Sequence, residues 1–105
     1  MSRCSRWSCS SLGLVALQPR GAAPGPLLPE DATVKVAAQT SVIPDNNVGL
    51  VLNAGIVTGS RGTLVIDPGL GRRNGETVLR ETRRVERSDA LYLASTHFHP
   101  QHTTG

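Results

Sequence analysis

The chain has 105 residues, with 11 Lys and Arg against 8 Asp and Glu and a formal net charge of +3. This length allows one small domain with a thin, marginally stable core. No apolar run is long enough to span a bilayer, and 3% aromatic residues are too few for a single-stranded nucleic-acid platform. We therefore expect neither a membrane nor a nucleic acid as a partner. Two neighbouring cysteines, Cys4 and Cys9, are too few and too local for a disulfide scaffold.

Residues 1–30 are interpreted as a leader and residues 31–105 as the folded part. The first 29 residues carry three arginines and no acid, and a short apolar run at 11–17 precedes small residues and prolines. Three interpretations stay open: a secretory signal over residues 1–23, an organelle transit peptide, or translated sequence upstream of the true start. A signal peptide implies a periplasmic or secreted protein, and its absence a cytoplasmic one.

Positive charge is concentrated in residues 72–87, which hold six arginines against three glutamates. A basic patch of this kind is typical either of a nucleic-acid surface or of a solvated helix face with ion pairs four residues apart. We favour the solvated helix face, with Glu76 and Arg80 as one such pair.

The elements follow from periodicity and turn residues. A β-branched alternation predicts a strand at 33–37. A turn at 44–47 precedes either a strand pair or one bent strand over 48–58. A hairpin turn at 59–62 leads into a buried strand at 63–66.

The second half of the chain predicts a strand–helix–strand unit. Asn74 is the expected N-cap of a helix over 75–87, and a second buried strand follows at 90–94. The helix presents one narrow apolar face, made of Val78, Leu79, Thr82 and Val85. A connection of this kind joins parallel strands, whose carboxyl ends carry the site in open α/β sheets. Asp67 and the histidines after Ala94 should therefore share one edge.

All three histidines lie in the segment THFHPQH over residues 96–102. Imidazole is a ligand for zinc, iron, copper and nickel. In extended backbone His97 and His99 point the same way and converge on one ion, with Phe98 turned into the protein. His102 aims at the same ion or at a neighbouring one. The alternatives are a polar loop of unliganded imidazoles and a histidine-rich tail that binds metals non-specifically.

These segments resemble the metallo-β-lactamase superfamily. THFHPQH is similar to the Thr-His-x-His-x-Asp-His signature of that family, and LVIDPG at 64–69 resembles its strand ending in Asp-Thr-Gly. NAGIV at 53–57 is similar to an early strand of the family, and the resemblance covers roughly residues 32–105. It implies an α/β (α+β) fold in which this chain is the N-terminal half of an αββα sandwich, with strands followed by a strand–helix–strand unit.

The resemblance also implies roles for individual residues. His97 and His99 correspond to ligands of a first zinc ion and His102 to a ligand of a second, while Asp67 orients the site from behind the ligands. The implied reaction is attack on a carbonyl-type bond by hydroxide generated on zinc at neutral pH. The implied substrate is a small molecule with an ester, thioester, lactone or β-lactam bond.

Two departures from the family pattern change the expectation. Gln101 stands where the family has aspartate, and a neutral amide is a weaker metal ligand, so one ion is plausible instead of two. The later ligands and the C-terminal half of the sandwich have no counterpart in this sequence. We therefore expect a fragment of a zinc-dependent hydrolase that is inactive alone and has an uncovered sheet face. The alternative is a small non-enzymatic metal-binding or partner-binding module.

Overall fold

A computed structural model describes residues 25–105, which form a small α+β domain around one five-stranded mixed sheet. The expectations for the two cysteines and for most of the leader fall on residues 1–24, outside the described part. The strands are β1 (Val34–Ala37), β2 (Thr40–Ile43), β3 (Ala54–Thr58), β4 (Thr63–Ile66) and β5 (Leu91–Ala94). Helix α1 spans Gly71–Val85, and the short helix α2 spans Pro100–Thr103.

The strands lie in chain order across the sheet. The three pairs from β1 to β4 are antiparallel, and β4 and β5 are parallel. The parallel pair joined by a helix is the predicted strand–helix–strand unit, which the structure confirms. A parallel pair needs a crossover of this length, because a tight turn can only reverse the chain.

The prediction of strand structure over 48–58 was wrong in its first half. Only residues 54–58 form a strand, and Leu50, inside the part that does not, has a φ of 64°. Left-handed backbone of this kind cannot continue a strand. Strand β2 was missed, since its four residues TSVI alternate too briefly to stand out from a turn region.

The core lies on one face of the sheet, beneath α1. Directly paired residues such as Ile56 and Val65 share this face, because side chains alternate along each strand. The buried apolar residues are Leu28, Ile43, Val51, Ala54, Ile56, Val65 and Val78. The opposite face is only half-buried, as at Val42, Val57 and Leu64.

Helix α1 begins at Gly71, four residues before the predicted start, and ends at Val85 instead of at residue 87. Asn74 is therefore not an N-cap but a residue of the helix, and it is 1% exposed. Its Oδ1 accepts the Leu28 N–H at 2.8 Å, and its Nδ2 donates to the carbonyls of Pro26 at 3.0 Å and Leu70 at 2.8 Å. The prediction of a cap relied on an amide side chain that bonds backbone groups. Asn74 does bond backbone groups, but it does so from inside the helix and not from its N-cap position.

Glu81 is another buried polar residue of the helix. It accepts the Asp31 N–H at 2.9 Å and the Thr33 hydroxyl, and Arg84 lies 3.0 Å from its Oε1. Residues seven apart lie on nearly the same side of a helix. Asn74 and Glu81 therefore fasten residues 26–33, called here the N-terminal strap, along one side of α1.

Four of the six arginines in residues 72–87 form ion pairs. Arg72 contacts Glu76 at 2.7 Å and Arg83 contacts Glu86 at 2.8 Å, while Arg80 and Arg84 pair with Glu30 and Asp31 of the N-terminal strap. The predicted Glu76–Arg80 pair was wrong, because each residue has another partner. These ion pairs support the interpretation of residues 72–87 as a solvated helix face. Exposed pairs of this kind contribute little stability.

Strand β5 was expected to be buried and is an exposed edge. Tyr92 and Leu93 are 62% and 61% exposed, and Leu79 of α1 is exposed too, contrary to its predicted place on the apolar face. These side chains line a groove of about 510 Å³ between α1 and β5. No helix within residues 25–105 has the length and apolarity needed to cross a membrane.

Asn74→Ala should lower the free energy of unfolding by about 2–4 kcal/mol, since it leaves the buried Leu28 N–H without an acceptor and removes two donated hydrogen bonds. Urea unfolding followed by circular dichroism measures the change. Arg73→Ala, at the exposed neighbouring position, is the control and should change stability by less than about 0.5 kcal/mol. Equal stability of the two variants would contradict the role given to Asn74.

Candidate metal centre

The candidate site lies where β4 and β5 end side by side. Ile66 and Ala94 are register partners, so the residues that follow them start from the same edge. The Asp67 N–H donates to the Ala94 carbonyl at 3.0 Å, which extends the parallel pairing by one bond. The predicted shared edge for Asp67 and the histidines is thus confirmed.

Asp67 is buried and is held by the segment that carries the histidines. Its Oδ1 accepts the Thr96 N–H at 2.8 Å, and its Oδ2 accepts the Thr96 hydroxyl at 2.8 Å. The Nδ1 atom of His102 lies 2.9 Å from the same Oδ2. Asp67 has a φ of 55°, a left-handed conformation that aspartate tolerates better than most residues.

The charge of Asp67 is set by these contacts. Burial alone raises the pKa of its carboxyl, but the Thr96 amide, the His102 ring and the Thr96 hydroxyl outweigh burial and hold the pKa below its usual value. Asp67 is therefore an anion at neutral pH, and it accepts hydrogen bonds without donating any.

The His97 ring contacts the other two imidazoles. The ring centroids of His97 and His102 are 3.8 Å apart, and those of His97 and His99 are 4.7 Å apart in an edge-to-face arrangement. The Thr96 Oγ1 lies 3.1 Å from the Nδ1 of His97 and 3.3 Å from that of His102. Thr96 thus contacts the rings of His97 and His102 as well as Asp67.

His97 is biased toward the neutral ring. Desolvation, followed by the charges of His102 and His99, lowers the pKa of His97. Neutral imidazole is the form that binds metals, because the protonated ring has no free lone pair.

The ring of His102 has a defined orientation. A carboxylate can only accept, so the contact between its Nδ1 and Asp67 requires the proton on Nδ1. The Nε2 lone pair is then free to bind a metal, in the arrangement that carboxylate-supported histidine ligands use.

The donor atoms present are of a type that zinc takes, but their arrangement is not that of a formed site. His97 contacts both His99 and His102, and His102 is oriented by a buried carboxylate. In residues 25–105 the rings pack against each other, and no three His, Cys, Asp or Glu side chains form a group able to hold a metal ion. Ligation therefore requires the rings to separate around the ion.

The expectation that Phe98 turns into the protein was wrong. This side chain is 83% exposed, because β5 ends at Ala94 and the histidines lie in a turn beyond the sheet. Gln101 is half-buried in α2, beside His102 in sequence. The sequence analysis gave Thr96 no role. Its position between the end of β5 and the first histidine could have indicated one.

Comparisons with protein-family models, with curated proteins and with solved structures give no match for this chain. The description of the site therefore depends on its own geometry, which is that of an α+β domain with a histidine cluster at the edge of a parallel strand pair.

The neutral His102 ring should carry its proton on Nδ1, and Asp67→Asn should abolish that preference because the acceptor loses its charge. Nitrogen-15 NMR of the imidazole rings above pH 8 distinguishes the two tautomers. His99, which has no contact with Asp67 in the structure, serves as the internal control. A wild-type His102 protonated on Nε2 would contradict the geometry.

Proposed function

We propose that this chain binds zinc through His97, His99 and His102 and forms the first part of the site of a metallo-β-lactamase-type hydrolase. The contact between the buried Asp67 carboxylate and His102 carries the proposal, because it orients an imidazole for ligation at the carboxyl ends of two parallel strands.

The residues of the chain have separate tasks in this proposal. His97 supplies a neutral ring, and His102 supplies a ring whose free nitrogen is selected by Asp67. Thr96 holds Asp67 against the histidine segment through its amide and its hydroxyl. When bound, zinc supplies Lewis acidity that makes water a nucleophile at neutral pH and polarises a carbonyl.

One zinc ion fits the donors better than two. Gln101 offers a neutral amide at the position where the family places an anionic oxygen, and an uncharged oxygen binds a divalent cation more weakly. The sequence contains three histidines, all within 97–102, so every imidazole of the chain is already assigned.

The proposed substrate class is a small molecule with an ester, thioester, lactone or β-lactam bond.

We expect this chain alone to bind zinc with no turnover of such substrates, because the family draws further ligands from segments after the motif. The experiment is an assay with zinc, a nitrophenyl ester and a chromogenic β-lactam. Turnover that His97→Ala abolishes would contradict the expected inactivity while supporting the site.

The second candidate is a non-enzymatic metal-binding module. The observation that favours it is a hydrophobic core assembled within the described residues, with α1 packed on the sheet. It predicts one cooperative unfolding transition for the purified chain, whereas an aggregated or molten chain with an uncovered sheet face would count against it.

His97→Ala and His99→Ala should each weaken zinc binding at least tenfold, because each removes one imidazole ligand. Isothermal titration calorimetry at pH 7.5 measures the affinity. Phe98→Ala is the matched control, since this exposed side chain lies between the two ligands and offers no donor. Unchanged affinity in both histidine variants would overturn the proposed site.

Gln101→Asp should add a second, weaker zinc ion, because the new anionic oxygen beside His102 allows that ring to leave the first ion and share a second one. The stoichiometry by calorimetry or by metal analysis after dialysis distinguishes one ion from two. Gln101→Asn keeps a neutral amide on the shorter side chain and should stay at one ion. A second ion in the asparagine variant as well would show that charge is not the cause.

A further inference from the structure

We propose that Thr104 is a positioning residue of this site, which holds the loop carrying Asp67 in register with the turn carrying the histidines. The proposal rests on the proposed metal site and adds a residue outside the histidine motif. Thr104 touches none of the histidine rings, and it is argued to act through Asp67 and His102.

The loop at residues 67–71 has an unusual backbone. Asp67, Gly69 and Gly71 have φ values of 55°, 97° and 72°, so three of its five residues are left-handed. Aspartate tolerates such a conformation only when its surroundings hold it there. The contacts at both ends of the loop therefore decide where the Asp67 carboxylate lies.

The first end of the loop is held by the site itself. The Asp67 N–H bonds the Ala94 carbonyl, and the Asp67 carboxylate accepts from Thr96. The middle is held by Asn74, whose Nδ2 donates to the Leu70 carbonyl.

The last end of the loop is held by Thr104. The Gly71 N–H donates to the Thr104 Oγ1 at 2.9 Å, and the same hydroxyl donates to the Pro100 carbonyl at 2.8 Å. Pro100 directly follows His99 and begins α2. One hydroxyl thus joins the start of α1 to the start of the turn between two candidate ligands.

The hydrogen bond from Gly71 to Thr104 also satisfies a backbone N–H at the start of α1. The first N–H groups of a helix have no partner within the helix, and the N-cap residue Leu70 has no side-chain acceptor to offer. Thr104 supplies the acceptor from 33 residues away in the chain. Its hydroxyl serves as a cap for the helix and as a tie between the two halves of the site.

The test uses the full chain with Thr104→Val, which keeps the shape and removes the hydroxyl, and Thr104→Ser, which keeps the hydroxyl. Thr103→Val is the matched control, because among residues 25–105 the Thr103 hydroxyl bonds only the His99 carbonyl, within the same turn. Two readouts are compared: the nitrogen-15 ring signals of His102 without metal, and binding of Co²⁺ followed by its visible absorption.

Thr104→Val should move the His102 ring signals toward those of Asp67→Asn and weaken Co²⁺ binding about tenfold, with an altered Co²⁺ spectrum, as loss of support behind a ligand does. Thr104→Ser and Thr103→Val should stay within about twofold of wild type. Circular dichroism of the metal-free variants separates this effect from loss of the fold.

Three results would overturn the role of Thr104: wild-type ring signals and affinity in Thr104→Val, an equal loss in Thr103→Val, or a loss in Thr104→Ser. Where Thr104→Val does not fold, Thr104→Ala, which also removes the hydroxyl at this exposed position, is compared with Thr104→Ser by the same two readouts. A wild-type chain that binds no Co²⁺ overturns the proposed metal site, and with it the role of Thr104 there. If only the role of Thr104 is wrong, the wild-type chain still binds Co²⁺.

Discussion

The carboxylate of Asp67 is the contact on which the two functional segments of this domain depend. It accepts hydrogen bonds from the amide and hydroxyl of Thr96, and it orients His102. These contacts exist because β4 and β5 are parallel and end level with one another at Ile66 and Ala94. An antiparallel arrangement would send the two loops to opposite ends of the sheet. The crossover through α1 is therefore a condition for the site as well as a part of the fold.

The second constraint is the polar buried side of α1. A helix over a sheet normally buries an apolar stripe, but this one buries Asn74, Thr77, Glu81 and Thr82 around Val78. The Oγ1 of Thr82 has no hydrogen-bond partner among residues 25–105, and buried polar atoms cost stability unless they find partners. Asn74 and Glu81 find them in the N-terminal strap, and Asn74 also bonds the Leu70 carbonyl. The strap and the Asp67 loop thus depend on the same helix.

Much of the order of elements was predictable, and the errors have physical causes. The strand at 63–66 and the following helix and strand carry strong local signals, because long periodic runs and glycine or proline breaks act through neighbours in sequence. Asn74 was misplaced as a cap because an amide bonds backbone groups equally well from inside a helix when another segment lies alongside. Tyr92 and Leu93 were expected to be buried because apolar composition does not reveal which strand is an edge.

The sequence by itself determined the chemistry available to this protein: three histidines within six residues, an aspartate after a buried strand, and a strand–helix–strand unit that brings the two together. Only the tertiary structure decided which groups support which. Asp67 meets His102 and Thr96, and Thr104 holds the far end of the Asp67 loop through Gly71. These contacts join residues about 30 positions apart, and local preferences cannot specify them, because they depend on how the helix and the parallel strands pack.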